Sequence, residues 1–170
     1  MQDDIRIHPT AYIAPSARIY GKVSIGAYSS IWDGVVIRGD MAAIDIGEFT
    51  SIQENAVIHV DHDIPTSIGN YVTVGHGAIV HGATVGDNCV IAIRSVLLNQ
   101  VSIGDNCIVG AGAIVMERVV IPPNSVVFGS PAKVAKEVTA EVKKAIRKNA
   151  DVYVDLGQAY RKRQVISESD

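Results

Sequence analysis

Residues 85–115 read VGDNCV IAIRSV LLNQVS IGDNCI VGAGAI V, and an aliphatic side chain opens each group of six. The beat continues outward in both directions. Before it stand Ile7, Ile13, Ile19, Ile25, Ile31 and Ile37, then Ile46, Ile52 and Ile58, then Ile68, Val74 and Val80. After it come Ile121 and Val127. Four residues on from the aliphatic position a small residue recurs, as at Ala11, Ala17, Cys89, Ser95, Cys107 and Ala113. A helix wants apolar residues every 3.6 positions and a flat strand every second one. Period six suits neither as a continuous element. It suits short strands separated by turns, each unit forming one flat side of a triangular parallel β-coil, so that three units close a coil. Successive coils then stack at roughly 4.8 Å. The fold expected is an all-β solenoid over residues 1–132. The small residue fits the tight corner. Gly26, Gly47, Gly69, Gly86 and Gly104, with Asn70, Asn88 and Asn106, suit the positive φ that corners demand.

The beat breaks three times. Three residues are inserted around Met41–Ala43 and four between Ile58 and Ile68, and one is missing between Val80 and Val85. In a solenoid, insertions map to loops on one face, often the working face. Beyond Pro131 the apolar spacing changes to Val134, Val138, Val142, Ile146, Val152, Tyr153, Leu156 and Tyr160. That spacing predicts one α-helix over 133–162, packed along the solenoid, with Thr139 as N-cap and Gly157 as its weak point. Residues 163–170 read as a flexible tail.

Composition narrows the function. The 170 residues are 48% hydrophobic and 19% charged, with a net charge of −3. That excludes a wholly disordered chain and gives no basic footprint for nucleic acid. No apolar run approaches the roughly 18 residues of a membrane helix, and Met1 to Arg6 is polar and acidic, unlike the apolar stretch expected of a signal peptide. A cytoplasmic location is the expectation. Cys89 and Cys107 repeat at one small-residue position and read as reduced, buried filler.

Units three apart share a face, which allows the residues after each aliphatic position to be listed face by face. The first face reads His8, Gly26, Gly47, Gly69, Gly86, Gly104 and Pro122. The second reads Ala14, Trp32, Gln53, Gly75, Ala92, Gly110 and Phe128. The third reads Tyr20, Arg38, His59, His81, Leu98 and Met116. His59 and His81 therefore stand in adjacent coils, about 4.8 Å apart, close enough to converge on one ion at Zn–N distances of about 2.0–2.1 Å. His76 lies beside the neighbouring corner and cannot easily reach that ion from the same chain. A second copy could supply it. His8 and His62 read as solvated side chains.

The stretches Val36-Ile37-Arg38-Gly39-Asp40, Ser51-Ile52-Gln53-Glu54-Asn55, Ile58-His59, Val74-Gly75-His76-Gly77 and Val80-His81-Gly82 resemble the γ-class carbonic anhydrases, over about residues 5–160. The resemblance implies a left-handed β-helix of hexapeptide repeats. It also implies a homotrimer whose zinc sites take His59 and His81 from one chain and His76 from the next. Zinc with an open fourth position would turn water into hydroxide at neutral pH, and that hydroxide would attack CO2 to give bicarbonate. Imidazole ligands equally suit Fe2+ or Co2+. By the same resemblance Gln53 orients the reacting groups, Asn55 holds CO2 or bicarbonate, and an Arg38–Asp40 bond crosses the subunit interface. Tyr153 is a further catalytic candidate, two residues before Asp155, which stands where the archetype has an asparagine. Met41 replaces the glutamate that active enzymes carry after the Arg-x-Asp motif, and the loop Asp61-His62-Asp63-Ile64-Pro65 replaces their acidic loop. Proton export then falls to His62 or to buffer. Two other functions fit a protein of this fold: an acyl-CoA transferase or thioesterase, and a metal-stabilised trimeric assembly subunit without catalysis.

Overall fold

The computed structural model describes residues 3–167, with side chains through Gln164. It is a parallel-strand solenoid of about 7 turns, the left-handed β-helix of hexapeptide repeats, followed by a single helix. The three predicted faces are the three strand columns. Ile46 pairs with Ile68, Val85 with Ile68, and Ile103 with Val85 on the first face. Ile31, Ile52 and Val74 stack on the second. Ile37, Ile58, Val80 and Leu97 stack on the third. Each of these aliphatics points inward, and together they fill one continuous core. Burying such a side chain is worth about 1.5–3 kcal/mol, repeated down the column, so a change of register in any coil would expose a full set.

The inserted residues leave the stacking intact. The first insertion lies within one long strand, Val36–Ile46, which turns the corner from the third face to the first. Its extra residues are absorbed opposite Gly21–Val23, where the register shifts. The second insertion folds into a turn closed by an antiparallel bridge between Asp61 and Ile64.

Corner chemistry differs from the expectation. Positive φ falls at Asn88 and Asn106 as expected, and also at Asn124, but not at Asn70 or at the first-face glycines; in earlier coils the same corner carries Tyr28 (φ 58), Phe49 (φ 55) and Tyr71 (φ 56). These three rings stack at centroid distances of 5.4 and 4.6 Å. A non-glycine residue held there costs of order 1 kcal/mol, and each aromatic pair returns about 0.5–1.5 kcal/mol. The first-face glycines serve close packing instead. A Cβ on Gly47 would lie 2.7 Å from the Gly69 backbone, and one on Gly26 would lie 2.6 Å from Gly47. Cys89 and Cys107 are buried and free, stacked at one corner.

The C-terminal segment departs from its predicted bounds. Residues 132–137 are not helical: the chain reverses after Ser125–Gly129 and Ala132–Glu137 pairs with that strand antiparallel. This hairpin covers what would otherwise be an open strand edge at the end of the second-face sheet. Val134 and Val138, four apart, fit a helix only by coincidence. The helix spans Ala140–Ser167, past the expected end at 162, and residues 168–170 of the expected tail lie outside the described residues. Thr139 caps it, its hydroxyl oxygen accepting from the Val142 N–H at 3.3 Å.

The helix runs back over the second face. Asn149 Nδ2 donates to Thr73 Oγ1, Gln158 Nε2 to the Thr10 carbonyl, and Arg147 sits 3.1 Å above the Tyr71 ring. Trp32 is the anchor, packed against Tyr12, Tyr153 and Tyr160. Gly157 lies close against the sheet, where an added Cβ would lie 3.1 Å from Ser30 Cβ. Gly157→Leu should therefore lower unfolding stability by about 1–3 kcal/mol despite the better helix propensity of leucine. An unchanged denaturation midpoint would refute this docking.

Candidate metal centre

Two short strand ends and one turn carry the candidate histidines. His59 closes Val57–His59 and His81 closes Ile79–His81, and the register sets the two side by side. Their ring centroids are 4.9 Å apart and nearly edge to face. Strand alternation places Arg38 next in the column, paired with His59, and puts Asp40 on the same side two residues on. The Arg38 guanidinium and the Asp40 carboxylate pair with each other within the chain. Asp40 Oδ1 also lies 3.3 Å from His59 Nε2. Partial burial raises the Asp40 carboxyl, but hydrogen bonds and the charge from Arg38 outweigh it and hold the group low. Desolvation first, and Arg38 second, hold the His59 imidazole below its usual value, which favours the neutral, ligating form.

His81 is held from its other side. Its Nδ1 lies 2.7 Å from Asn99 Oδ1, and Asn99 Nδ2 donates to Asp61 Oδ2 at 2.8 Å. Asp61 comes from the inserted turn, where it also accepts from the His62 N–H at 2.7 Å. Hydrogen bonds from the His62 N–H and from Asn99 keep the Asp61 carboxyl below its ordinary value.

His76 sits at the adjacent corner with a partner of its own, Glu54 Oε2, 2.6 Å from Nδ1. The register puts Glu54, not Gln53, beneath it, because Ser51 pairs with Thr73 and Ile52 with Val74. Gln53 is only 4% exposed and faces the helix, where its side chain meets that of Tyr153. Burial, and secondly the Glu54 charge, push the Tyr153 phenol up. Asn55 occupies the corner at φ 61, its backbone N–H bonded to the Asp33 carbonyl. With Glu54, His76, Gly77, Ile93 and Arg94 it lines an open concavity. His62 projects into solvent, its side chain 81% exposed and its Nδ1 2.8 Å from Asp63.

One chain thus brings together His59, His81, Arg38 and Asp40, and separately His76 with Glu54 and Asn55. Among the described residues, no three His, Cys, Asp or Glu side chains of one chain gather as a metal-binding group. The donor chemistry fits a metal nonetheless. His76 and His81 each have Nδ1 against an oxygen, which leaves the Nε2 lone pair for an ion. Glu54, Asn99 and Asp61 escaped the reading of the sequence. Register alone could have found Glu54 and Asn99, which lie one coil below His76 and, at the next position along, one coil above His81. Asp61 depends on how the insertion folds.

Residues 4–39 and 82–116 match the family described as "Bacterial transferase hexapeptide (six repeats)", and residues 65–92 match "Hexapeptide repeat of succinyl-transferase". A Methanocaldococcus jannaschii protein named "Probable carbonic anhydrase" is 48% identical over 86% of this chain and 92% of its own length. "Gamma carbonic anhydrase 3, mitochondrial" of Arabidopsis thaliana is likewise 48% identical, over 88% of this chain, which spans 60% of that longer protein. A solved Bacillus cereus structure, described as a candidate acetyltransferase, superposes with a TM-score of 0.93 at 36% identity, covering 95% of this chain and 94% of that one. By identity over most of its length, the chain belongs to the γ-class carbonic anhydrase family of hexapeptide-repeat proteins.

Proposed function

We propose that this protein is a zinc-dependent carbonic anhydrase that hydrates CO2 reversibly to bicarbonate as a homotrimer, each metal held by His59 and His81 of one chain and His76 of the next. The observation that carries the reading is the split of the histidines: a register-paired couple on one face, and a single histidine beyond the corner with its Nε2 unengaged. A two-plus-one division is satisfied when a second copy brings its corner against the first copy's face. Zinc, when bound, supplies an activated water at neutral pH.

The chain's own residues do the rest. Arg38 and Asp40 fix the His59 side of the column, and Glu54 fixes the His76 ring. Gln53, beside Tyr153, would orient the reacting groups with its amide, and Asn55, on the rim of the concavity, would hold CO2 or bicarbonate. Met41 offers no acid or base beside Asp40, so we assign the passage of the proton to solvent to the exposed His62, with buffer as the alternative carrier.

A second reading has one observation in its favour. The His76–Glu54 pair, 2.6 Å apart on an open concavity, has the form of a general base oriented by a carboxylate, as acyl transfer or thioester hydrolysis would need.

The test is a CO2 hydration assay on protein of known metal content, run beside a thioester hydrolysis assay. Zinc-loaded protein should hydrate CO2 and chelator-stripped protein should lose that activity, with a mass near three times 18.1 kDa. Thioester turnover that survives metal removal, with no CO2 hydration, would favour the second reading. For the shuttle, His62→Ala should lower kcat several-fold while leaving kcat/KM for CO2 unchanged, because proton export follows hydration, and added imidazole buffer should restore it. Equal kcat for both proteins at low buffer concentration would remove His62 from the mechanism.

A further inference from the structure

Hydrogen-bond direction can be followed from a charged group into the candidate site. A carboxylate at neutral pH only accepts, so the group that Asn99 turns toward Asp61 must be its NH2. The observed Nδ2–Oδ2 contact of 2.8 Å has that sense. The reverse orientation would set two acceptors against each other at hydrogen-bond distance. With its NH2 committed, Asn99 has only Oδ1 to offer His81, 2.7 Å from Nδ1. Nδ1 must then carry the proton, and the lone pair falls on Nε2.

We infer that Asp61, acting through Asn99, fixes the His81 tautomer as Nδ1–H and so presents Nε2 as the ligating atom; the last step rests on the metal reading proposed above. Asp61 and Asn99 are positioning residues. The arrangement accounts for two features that the solenoid alone does not require. One is the inserted turn, which carries Asp61 up across a coil to Asn99, 38 residues on in sequence. The other is Gly82, the residue after His81. A Cβ there would lie 2.5 Å from Asn99 Oδ1 and 2.9 Å from Ile64 Cγ2, and its φ of 58 disfavours a side chain as well. A bare α-carbon lets the amide and the turn close over the histidine.

His76 reaches the same tautomer by a shorter route, because Glu54 accepts from its Nδ1 directly. The two histidines are therefore set by different partners, and the Asp61–Asn99 pair can be perturbed alone.

The experiment follows the tautomer and the metal separately. Two-bond 1H–15N correlation spectra of the full chain at neutral pH, before and after chelation, report which His81 nitrogen bears hydrogen. Zinc affinity is measured by competition with a chelator. Wild type should show Nδ1–H. Asn99→Leu, similar in size but without an acceptor, should move His81 to the Nε2–H form and weaken zinc about ten- to a hundredfold. Asp61→Ala should shift the population the same way in part, and it serves if the leucine variant does not fold. The double variant Asp61→Ala with Asn99→Asp restores an acceptor beside Nδ1, and should return both the Nδ1–H form and near wild-type affinity. Asn99→Leu that keeps Nδ1–H, or a double variant that behaves like it, would overturn the inference. A wild-type chain showing Nδ1–H at His81 while taking up no zinc would uphold the relay and refute the metal reading instead.

Discussion

Each coil must lie on the next with the same residue above the same residue, because the inward aliphatics stack at one strand spacing and their backbone N–H and C=O groups pair between coils. Ile37, Ile58, Val80 and Leu97 obey this in turn. Every position outside the core inherits the same stacking. Two histidines 22 residues apart in sequence become neighbours because each follows an inward aliphatic on the same face. Insertions are tolerated only where they leave the column unmoved, as the bulged strand Val36–Ile46 and the turn at Asp61–Ile64 do. Aliphatic side chains fill the interior, so chemistry is confined to the outer faces and corners.

What the sequence made legible follows from that constraint. The period of six carries the faces, their registers and the His59–His81 pairing, because one repeated interaction governs them all. The hairpin at 125–137 lies where the repeat ends and no longer speaks. There Val134 and Val138 satisfy helical spacing while the competing demand, covering a strand edge, leaves no periodic mark. Corner residues were read by propensity, and tertiary stacking overrode it at Tyr28, Phe49 and Tyr71. Glu54 is within reach of the register, which stacks it under His76 once Ile52 is set opposite Val74. Asp61 was not within reach, because the path of an insertion is set by contacts such as that with Asn99, far along the chain.

The helix and the site are linked through the second face. Trp32 anchors the helix with Tyr12, Tyr153 and Tyr160, and the same helix holds Tyr153 against Gln53. The amide assigned to orient the reacting groups is thus held by an element that the β-repeat does not include. On the third face, His59 and the Arg38–Asp40 ion pair form a polar cluster beside His81, while Ile79 and Met116 are exposed along the same column.

The central claim is that one metal draws on two chains. Mixing His76→Ala and His81→Ala subunits tests it most directly, since each variant alone lacks one ligand at every site. After unfolding and co-refolding at equal amounts, an interface between the first variant's His59–His81 face and the second variant's His76 corner has all three ligands. Zinc should return to about one site in four by random assembly of trimers, while each variant refolded alone takes up none. Metal content that stays at zero in the mixture, with mixed trimers shown to form, would contradict a site shared between chains.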